Sequence, residues 1–332
     1  METDTISDAS ARLSSEPQEM VRRARRFATI DVAFRRITFA ATLTVLVLLG
    51  GVIVVLFLGA LPAIGQFGFG FVFTEIWNPV TQKFGARAPI YGTLITSAIA
   101  MLFAVPVSLG IAIFLTEFCP RFLRRPIGIA IELLAGIPSI VYGIWGLFVL
   151  APFLQLKFQP LVIDAFADIP VLSTLFAGPP YGVGLFTAGV ILAVMVIPFV
   201  TAVARDVFET VPPVLKEAAY GIGCTTWEVV RRVVIPYTRI GLFGGVMLGL
   251  GRALGETMAV AFVVGNAHRM NPNLFAPGTT ISAAIANEFT EAVGVFYKSA
   301  LIELGLILFV ITFIVLAVAR LMLARMGRRP GG

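Results

Sequence analysis

The amino-acid sequence predicts an all-α membrane protein with six transmembrane helices, and three observations carry that prediction. Hydrophobic residues make up 58% of the 332 residues, and charged residues only 13%, about half of the charged fraction of soluble domains. The mean hydropathy is +0.93. Finally, a helix needs about 20 apolar residues to cross a bilayer, and six stretches have that length: residues 37–61, 91–116, 127–151, 182–204, 239–264 and 300–324.

The distribution of basic residues predicts which side of the membrane each loop occupies. Nineteen Lys and Arg residues fall in segments on the same side as the N-terminus, five fall on the opposite side, and Arg252 lies inside a span. Because cytoplasmic loops are enriched in Lys and Arg, both termini are expected in the cytoplasm. The net charge of +6 is then a feature of membrane topology, and nucleic acid is not expected as a partner.

This topology divides the chain into three parts. Residues 1–36 are predicted to form a basic cytoplasmic extension, residues 37–324 the six-span domain, and residues 325–332 a cytoplasmic tail. The long loops fall on the outer side, and the bilayer itself is the first partner of the chain.

Glycine and proline residues predict irregular helices inside the membrane. The third span contains Gly136, Pro138 and Gly143 and is expected to be broken or bent. Pro106 and Pro198 are expected to kink the second and fourth spans, where neighbouring helices can satisfy the freed backbone groups.

Several classes of enzyme are disfavoured by what the sequence lacks. There is no Gly-Lys dipeptide, so the phosphate-binding loop of ATPases cannot form. The only histidine is His268, and the six spans contain no aspartate, which leaves no Ser-His-Asp set within the membrane. No cluster has metal-site spacing. We therefore expect a transport subunit without catalytic residues, bound metal or cofactor, whose energy comes from another chain.

Two charged residues lie in the middle of the fifth span. Arg252 and Glu256 are four residues apart, so they are expected to share one helix face and to pair. Arg252 is too far from either end to reach water along its own side chain, and a charge there costs at least about 2.5 kcal/mol. Arg252 is therefore expected to face a polar cavity or a partner chain.

Physical reasoning leaves two interpretations of this pair open. It is either a structural ion pair that fixes helix register, or an anion contact in which the planar guanidinium of Arg252 binds an oxyanion. Three further side chains are candidates for the same substrate pathway: Glu132, Ser139 and Tyr142.

The loop before the fifth span, residues 209–236, carries a second motif. Its residues EAAYGIGCTTWEVVRRVVIP begin at Glu217. Pro213 suits a helix start, Gly223 permits a sharp turn, and Thr225 with Glu228 has the spacing of a capping box. Pro236 is expected to end the second short helix before the span. Composition alone is also compatible with an ordinary amphipathic connector.

The spacing in this loop resembles the EAA loop of ABC-importer permeases. The residues that match are Glu217, Ala218, Ala219, Gly223, Val233, Ile235 and Pro236, with Val233 in place of the usual isoleucine. The resemblance implies that the loop is a cytoplasmic coupling helix that docks into an ATPase subunit, and that the fold is the six-span type I importer architecture.

Three further segments narrow the resemblance to the phosphate ABC-importer permease family of the PstC type. They are GRALGETMAV at 251–260, ELLAGIPSIVYG at 132–143 and TISAAIANEFTEA at 280–292. The family implies a bacterial inner (plasma) membrane location and a heterodimer with a second, PstA-type permease. It also implies two copies of a cytoplasmic PstB-type ATPase and an extracytoplasmic PstS-type phosphate-binding protein. Arg252 and Glu256 would then be pathway residues.

Two other functions remain open at the level of sequence. One is a permease for another oxyanion, such as molybdate, tungstate or sulfate, which the residues alone do not exclude. The other is an ion-coupled secondary transporter, which would normally show more intramembrane carboxylates and an internal inverted repeat.

Overall fold

The computed structural model describes the backbone of residues 3–176 and 178–327, and the side chains of residues 31–325 apart from 171 and 177. The described residues form helices and no strands, with one isolated bridge between Asn78 and Lys83. Six helical stretches are long and apolar enough to cross a membrane, so the prediction of an all-α, six-span protein is confirmed. Residues 328–332, most of the predicted tail, lie outside the described residues.

The first helix, α1 (Thr3–Phe67), includes the first candidate span, Asp31–Phe67. The chain divides into two compact units whose boundary falls within α1, between Leu58 and Gly59. In the first unit, large apolar side chains such as Leu48 and Phe57 are exposed along the described part of the helix. Such a surface is stable in lipid rather than in water.

The second unit holds the remaining helices. The short α2 (Gly70–Phe73) precedes α3 (Arg87–Ile113), which ends in a π-helical turn, Phe114–Phe118. The long α9 (Leu185–Glu209) packs closely against α3, and the last span belongs to α15 (Val295–Gly327).

The third span is built from several helical segments. The short α4 (Arg121–Ala135) precedes it. The candidate span itself, Ser139–Phe166, consists of α5 (Ser139–Trp145), α6 (Ala151–Phe153) and α7 (Gln159–Phe166), joined by π-helical turns. A further helix, α8 (Pro170–Phe176), follows. The break at 136–138 confirms the prediction of a broken span. Both predicted bounds, 127 and 151, are wrong, because the helical stretch that could cross a membrane runs from Ser139 to Phe166.

The fifth span is also segmented. After α9, the chain forms α10 (Pro213–Gly221) and α11 (Thr226–Val229), passes through a π-helical turn, Val230–Val234, and continues as α12 (Ile235–Leu254). Two shorter helices follow, α13 (Met258–Val263) and α14 (Ile281–Glu288). The latter falls within the segment 280–292 that the sequence had singled out.

Prolines within these spans follow π-helical turns. Pro152, Pro160 and Pro236 each stand at the first or second position of a helix that continues directly from such a turn. A π-helical turn replaces the usual hydrogen bond from residue i to residue i−4 by one to residue i−5. Proline after such a turn therefore neither leaves the usual bond unmade nor clashes with the carbonyl four residues before it, and the helix continues. The prediction that Pro236 ends a short helix before the span is therefore wrong: α11 and α12 form one continuous helical rod.

The core of the second unit is packed through small residues. Ala100 and Ala104 on α3 meet Ala188 and Leu192 on α9, and all four are buried. A methyl group added at Gly189 would lie 2.6 Å from the side chain of Ile99, so glycine at this position allows the two backbones to approach. Close contact through small residues is how helices associate in lipid, where no hydrophobic driving force acts between them.

Candidate translocation and coupling sites

The helix of the fifth span ends at the position of the two charges that were predicted to lie mid-span. The candidate span is Thr226–Leu254, so the predicted bounds 239–264 are wrong. Arg252 is in the last turn of α12, which ends at Leu254, and Glu256 lies in the short gap before α13 begins. Gly255 caps α12 with non-helical backbone angles, so the i, i+4 geometry does not hold across the gap. The prediction that both side chains share one helix face is wrong, and among the described residues no ion pair joins them.

Glu256 is instead tied to the segments that follow it. Its Oε1 accepts a hydrogen bond from the backbone N–H of Ala259, at 3.3 Å, so the carboxylate caps the start of α13. The hydroxyl of Ser282, on α14, donates to the carbonyl of Glu256 at 2.7 Å. Glu256 therefore holds the break in a fixed conformation.

Arg252 keeps its guanidinium available. The side chain is exposed, and its charged end lies 6.0 Å from the centre of the Phe199 ring on α9. This distance allows a cation–π interaction, which leaves the five N–H donors of the guanidinium unused. A cation at this depth needs a polar partner, and within the described part of the chain no carboxylate provides one.

The break in the third span lies next to the break in the fifth. The Tyr142 hydroxyl donates to the carbonyl of Leu134 at 2.8 Å and so bridges the gap between α4 and α5. A side chain at Gly143 would meet the α13 backbone at Ala259, which shows how closely α5 and α13 approach. Tyr142 is near enough to Arg252 to interact with its charge. Ser139 is half-buried at the start of α5.

Glu132 contacts other residues than the remaining pathway candidates do. It lies on α4, exposed, and forms an ion pair with Arg205 on α9 at 2.8 Å. The two line a cavity with arginines of the α4 N-terminus and with Glu209. Among the described residues, no hydrogen bond or ion pair joins Glu132 to Arg252, Glu256, Tyr142 or Ser139, and its role in the pathway stays a prediction.

The segment 209–236 forms two short helices joined by a turn. Gly223 has φ = +89°, a backbone conformation that favours glycine. The capping box predicted at Thr225 is present: its side chain accepts from the Glu228 N–H, and the Glu228 carboxylate accepts from the Thr225 N–H. Glu217 and Ala218 are exposed, whereas Ala219 packs into the bundle. Val233 and Ile235 are half-buried in the continuous rod.

The surface of this segment is strongly apolar. Ile222 at the turn is 84% exposed, and other large side chains around it also project outward: Val214, Leu215, Tyr220 and Trp227. An apolar patch beside polar residues is typical of a protein–protein interface.

An ion pair that the sequence did not predict ties this segment to the second span. The Lys216 ammonium lies 2.5 Å from the Glu117 carboxylate, in the π-helical turn after α3. The Glu117 side chain is only 6% exposed, so the contact is specific. Residue spacing gives no signal for it, because the two residues are ninety-nine positions apart.

A second unpredicted cluster lies at the other end of the bundle. The Glu288 carboxylate accepts hydrogen bonds from Trp77 at 2.7 Å and from Tyr297 at 2.6 Å, and it pairs with His268 at 2.5 Å. The Trp77 and His268 rings stack at 4.9 Å. Burial alone would raise the pKa of Glu288, but the hydrogen bonds from His268, Tyr297 and Trp77 outweigh it and lower the pKa below its usual range.

Comparison with known protein families identifies the chain. Residues 104–328 match the model of the binding-protein-dependent transport system inner membrane component. The chain belongs to this transporter family. This permease is therefore a multi-pass component of an inner membrane, as its six apolar helices predict.

Relatives of the permease carry a consistent name. Phosphate transport system permease protein PstC of Mesorhizobium japonicum is 70% identical over 307 residues, which cover 92% of this chain and 94% of the relative. The protein of the same name from Haemophilus influenzae is 55% identical, over 91% and 96% of the two chains. A probable PstC of Methanocaldococcus jannaschii is 39% identical, over 85% and 90%. The resemblance to the PstC type is thereby confirmed.

Solved structures share the permease fold. The MetNI methionine ABC transporter in an inward-facing conformation aligns with a TM-score of 0.52 at 15% identity, over 75% of this chain and 99% of that chain. A bacterial ABC transporter involved in the import of the acidic polysaccharide alginate aligns with a TM-score of 0.55 at 18% identity, over 81% and 88%. These likenesses confirm the type I importer architecture.

Proposed function

We propose that this chain is the permease subunit of an ATP-driven importer of inorganic phosphate and forms half of its translocation pathway. The observation that carries the proposal is Arg252: an exposed guanidinium in the last turn of α12, beside the break before α13, with no carboxylate paired to it in the described residues. An anion that crosses hydrocarbon needs such a cationic step. The name shared by the relatives selects phosphate among the oxyanions.

Glu256, Tyr142 and Ser139 complete the proposed pathway. Glu256 fixes the break beside Arg252, and Tyr142 and Ser139 come from the neighbouring break in the third span. Two breaks that lie side by side give the helices a place to bend, which an alternating-access cycle requires. Glu132 would act closer to the inner end, beside Arg205.

The permease belongs to an importer whose ATP hydrolysis resides in a separate subunit and whose substrate arrives on a binding protein. We assign the partners as a second, PstA-type permease, two copies of a PstB-type ATPase and an extracytoplasmic PstS-type phosphate-binding protein. The segment 209–236 would dock into the ATPase through its exposed apolar patch. This places the segment and both termini in the cytoplasm, in agreement with the basic residues there.

Uptake of radiolabelled phosphate at micromolar concentration tests the proposal. Cells that lack the chain and cells in which it is restored would be compared, with and without excess unlabelled sulfate or molybdate. Uptake that requires the chain and ignores both competitors supports phosphate as the substrate. Competition by molybdate or sulfate would reassign the permease to that oxyanion, and uptake that persists without the chain would refute the proposal.

A further inference from the structure

A cavity of about 280 Å³ lies between α4 and α9, at the end of the bundle where the segment 209–236 begins. Six of its seven lining residues are charged, and we call it the arginine pocket. Its residues are Arg121, Arg124, Arg125, Ile129, Glu132, Arg205 and Glu209.

The arginine pocket has a surplus of positive charge. Four arginines face only two carboxylates, those of Glu132 and Glu209. Arg205 is paired with Glu132 at 2.8 Å and with its neighbour Asp206 at 3.2 Å. One N–H of Arg124 is used by the carbonyl of Thr116 at 2.7 Å. Arg121 and Arg125 have no ion pair or hydrogen bond from their side chains to any residue that the structure describes. Two guanidiniums are therefore free to bind an anion.

The backbone of α4 adds to this surplus. Arg121, Arg124 and Arg125 lie at the N-terminal end of the helix, where the helix dipole disfavours cations and favours anions. No side chain caps this end, because the N-cap residue is Pro120. The first helical hydrogen bonds are donated by Leu123 and Arg124, which leaves the N–H groups of the preceding residues without helical acceptors. A bound anion would relieve both the charge repulsion and the missing cap.

Arg205 completes the pocket because α4 has a glycine opposite it. A methyl group added at Gly128 would lie 2.9 Å from Nη1 of Arg205. Gly128 thus admits the guanidinium against the helix, where it forms the inner wall of the cavity. The positive-inside rule accounts for basic residues on this side of the membrane, but not for a guanidinium from a second helix directed at the same cavity.

The opposite surface of α4 is apolar and faces outward. Leu123 is 39% exposed and Leu134 is 47% exposed. A helix with one apolar and one basic face lies at the boundary between acyl chains and headgroups. The open side of the arginine pocket is then at the depth of lipid phosphates.

We propose that the arginine pocket binds a phosphate group, held by charge-assisted hydrogen bonds from Arg121 and Arg125 with Arg205 behind them. Guanidinium groups match phosphate oxygens in geometry and charge. Two sources present this chemistry there: the headgroup of an anionic phospholipid, which basic pockets at the cytoplasmic interface bind, and free inorganic phosphate. The proposal is independent of which substrate the permease transports.

Binding to the full-length chain, purified in its complex, tests the proposal. Native mass spectrometry would count retained phosphatidylglycerol, with phosphatidylcholine as the uncharged control, and equilibrium dialysis would measure labelled inorganic phosphate. The variant Arg121→Gln/Arg125→Gln should weaken binding of phosphatidylglycerol or of inorganic phosphate roughly 25-fold, about fivefold for each arginine. The variant Arg121→Lys/Arg125→Lys keeps the charge and should retain most of the binding. Thermal unfolding of the Gln variant at the wild-type temperature shows that its fold is retained. Arg320→Gln/Arg325→Gln removes two exposed arginines elsewhere and should change nothing.

The outcomes distinguish the two sources of the bound phosphate group, a phospholipid headgroup and free inorganic phosphate. Loss of phosphatidylglycerol alone in the Gln variant identifies a lipid headgroup, and loss of inorganic phosphate alone identifies the free ion. Equal retention of both probes in the Gln variant and the wild type would overturn the proposal. So would a Gln variant that keeps both probes but no longer co-purifies with its ATPase, because the arginines would then form a protein contact.

Discussion

At the scale of single residues, Arg252 separates the two interpretations that the sequence left open. A structural ion pair would require Glu256 beside it, but Glu256 caps α13 instead. The guanidinium lies near Phe199 with its donors unused. A residue that is costly in the membrane and unpaired in the described chain is better explained by a ligand or by a partner subunit than by helix register.

Replacement of Arg252 by Gln should reduce uptake about 10- to 100-fold, because one or more hydrogen bonds from a charged group are each worth about 1.5–3 kcal/mol. Arg252→Lys should retain part of the activity, since it keeps the charge without the planar fork. Labelled phosphate uptake measures both, with assembly checked by co-purification of the subunits. Normal uptake by Arg252→Gln would remove the anion-contact role.

The Glu288 cluster predicts a dependence of stability on acid. The pKa of Glu288 is lower in the folded protein than in an unfolded chain, so its contribution is complete above about pH 4.3. This stabilising contribution is lost as the pH falls through the lowered pKa of Glu288 in the folded protein. Thermal unfolding of wild type and Glu288→Gln should therefore differ near neutral pH and converge in acid. A constant difference across the range would contradict this account.

At the scale of elements, the turn of the segment 209–236, the proposed coupling segment, needs glycine at one position and not at another. Gly223 has positive φ, and a side chain there is strained by about 1–3 kcal/mol. Gly221, at the end of α10, has open space around it and no such requirement. Gly223→Val should reduce co-purification of the ATPase and coupled hydrolysis, whereas Gly221→Ala should not. Equal behaviour of the two variants would show that the turn geometry is irrelevant to docking.

Exposed Glu217 on α10 allows a direct test of the docking surface. Glu217→Arg reverses a charge without touching the core, so the purified permease should unfold at the same temperature as the wild type. Docking of the ATPase should weaken, as co-purification and stimulated ATP hydrolysis would measure. Undiminished stimulation would place the interface elsewhere.

The Lys216–Glu117 pair should behave as a coupled unit. Lys216→Met leaves the Glu117 carboxylate buried without its partner, which costs on the order of 3–5 kcal/mol for a buried pair. Glu117→Gln in the same chain should restore much of that stability. A double-mutant cycle in thermal unfolding measures the coupling, and strictly additive effects would show that the contact is incidental.

The elements also show what the sequence can and cannot predict. Hydrophobic length predicted six spans, and local chemistry predicted the helix start at Pro213, the Thr225 capping box and the break at 136–138. Local rules failed where a π-helical turn absorbs a proline, as at Pro236. They also failed where a side chain finds a distant partner, as with Glu117. Periodicity along one segment gives no information about the position of a π-helical turn or about a contact between residues far apart in the sequence.

At the scale of the whole molecule, the second compact unit combines a packed scaffold with a site that the described residues leave incomplete. The α3 and α9 core is closely packed, whereas Arg252 and the apolar patch of the coupling segment are exposed. In the proposed importer, a second permease would complete the pathway, and an ATPase against the segment 209–236 would provide the energy for transport. The proposed phosphate importer supplies both.

Transport by the purified complex in proteoliposomes tests this account most directly. Labelled phosphate and its binding protein would be supplied on one face, and ATP on the face that carries the segment 209–236, with no ion gradient across the membrane. The account predicts phosphate accumulation only when ATP is on that face, and none with Arg252→Gln. Accumulation driven by an imposed proton or sodium gradient without ATP would contradict it.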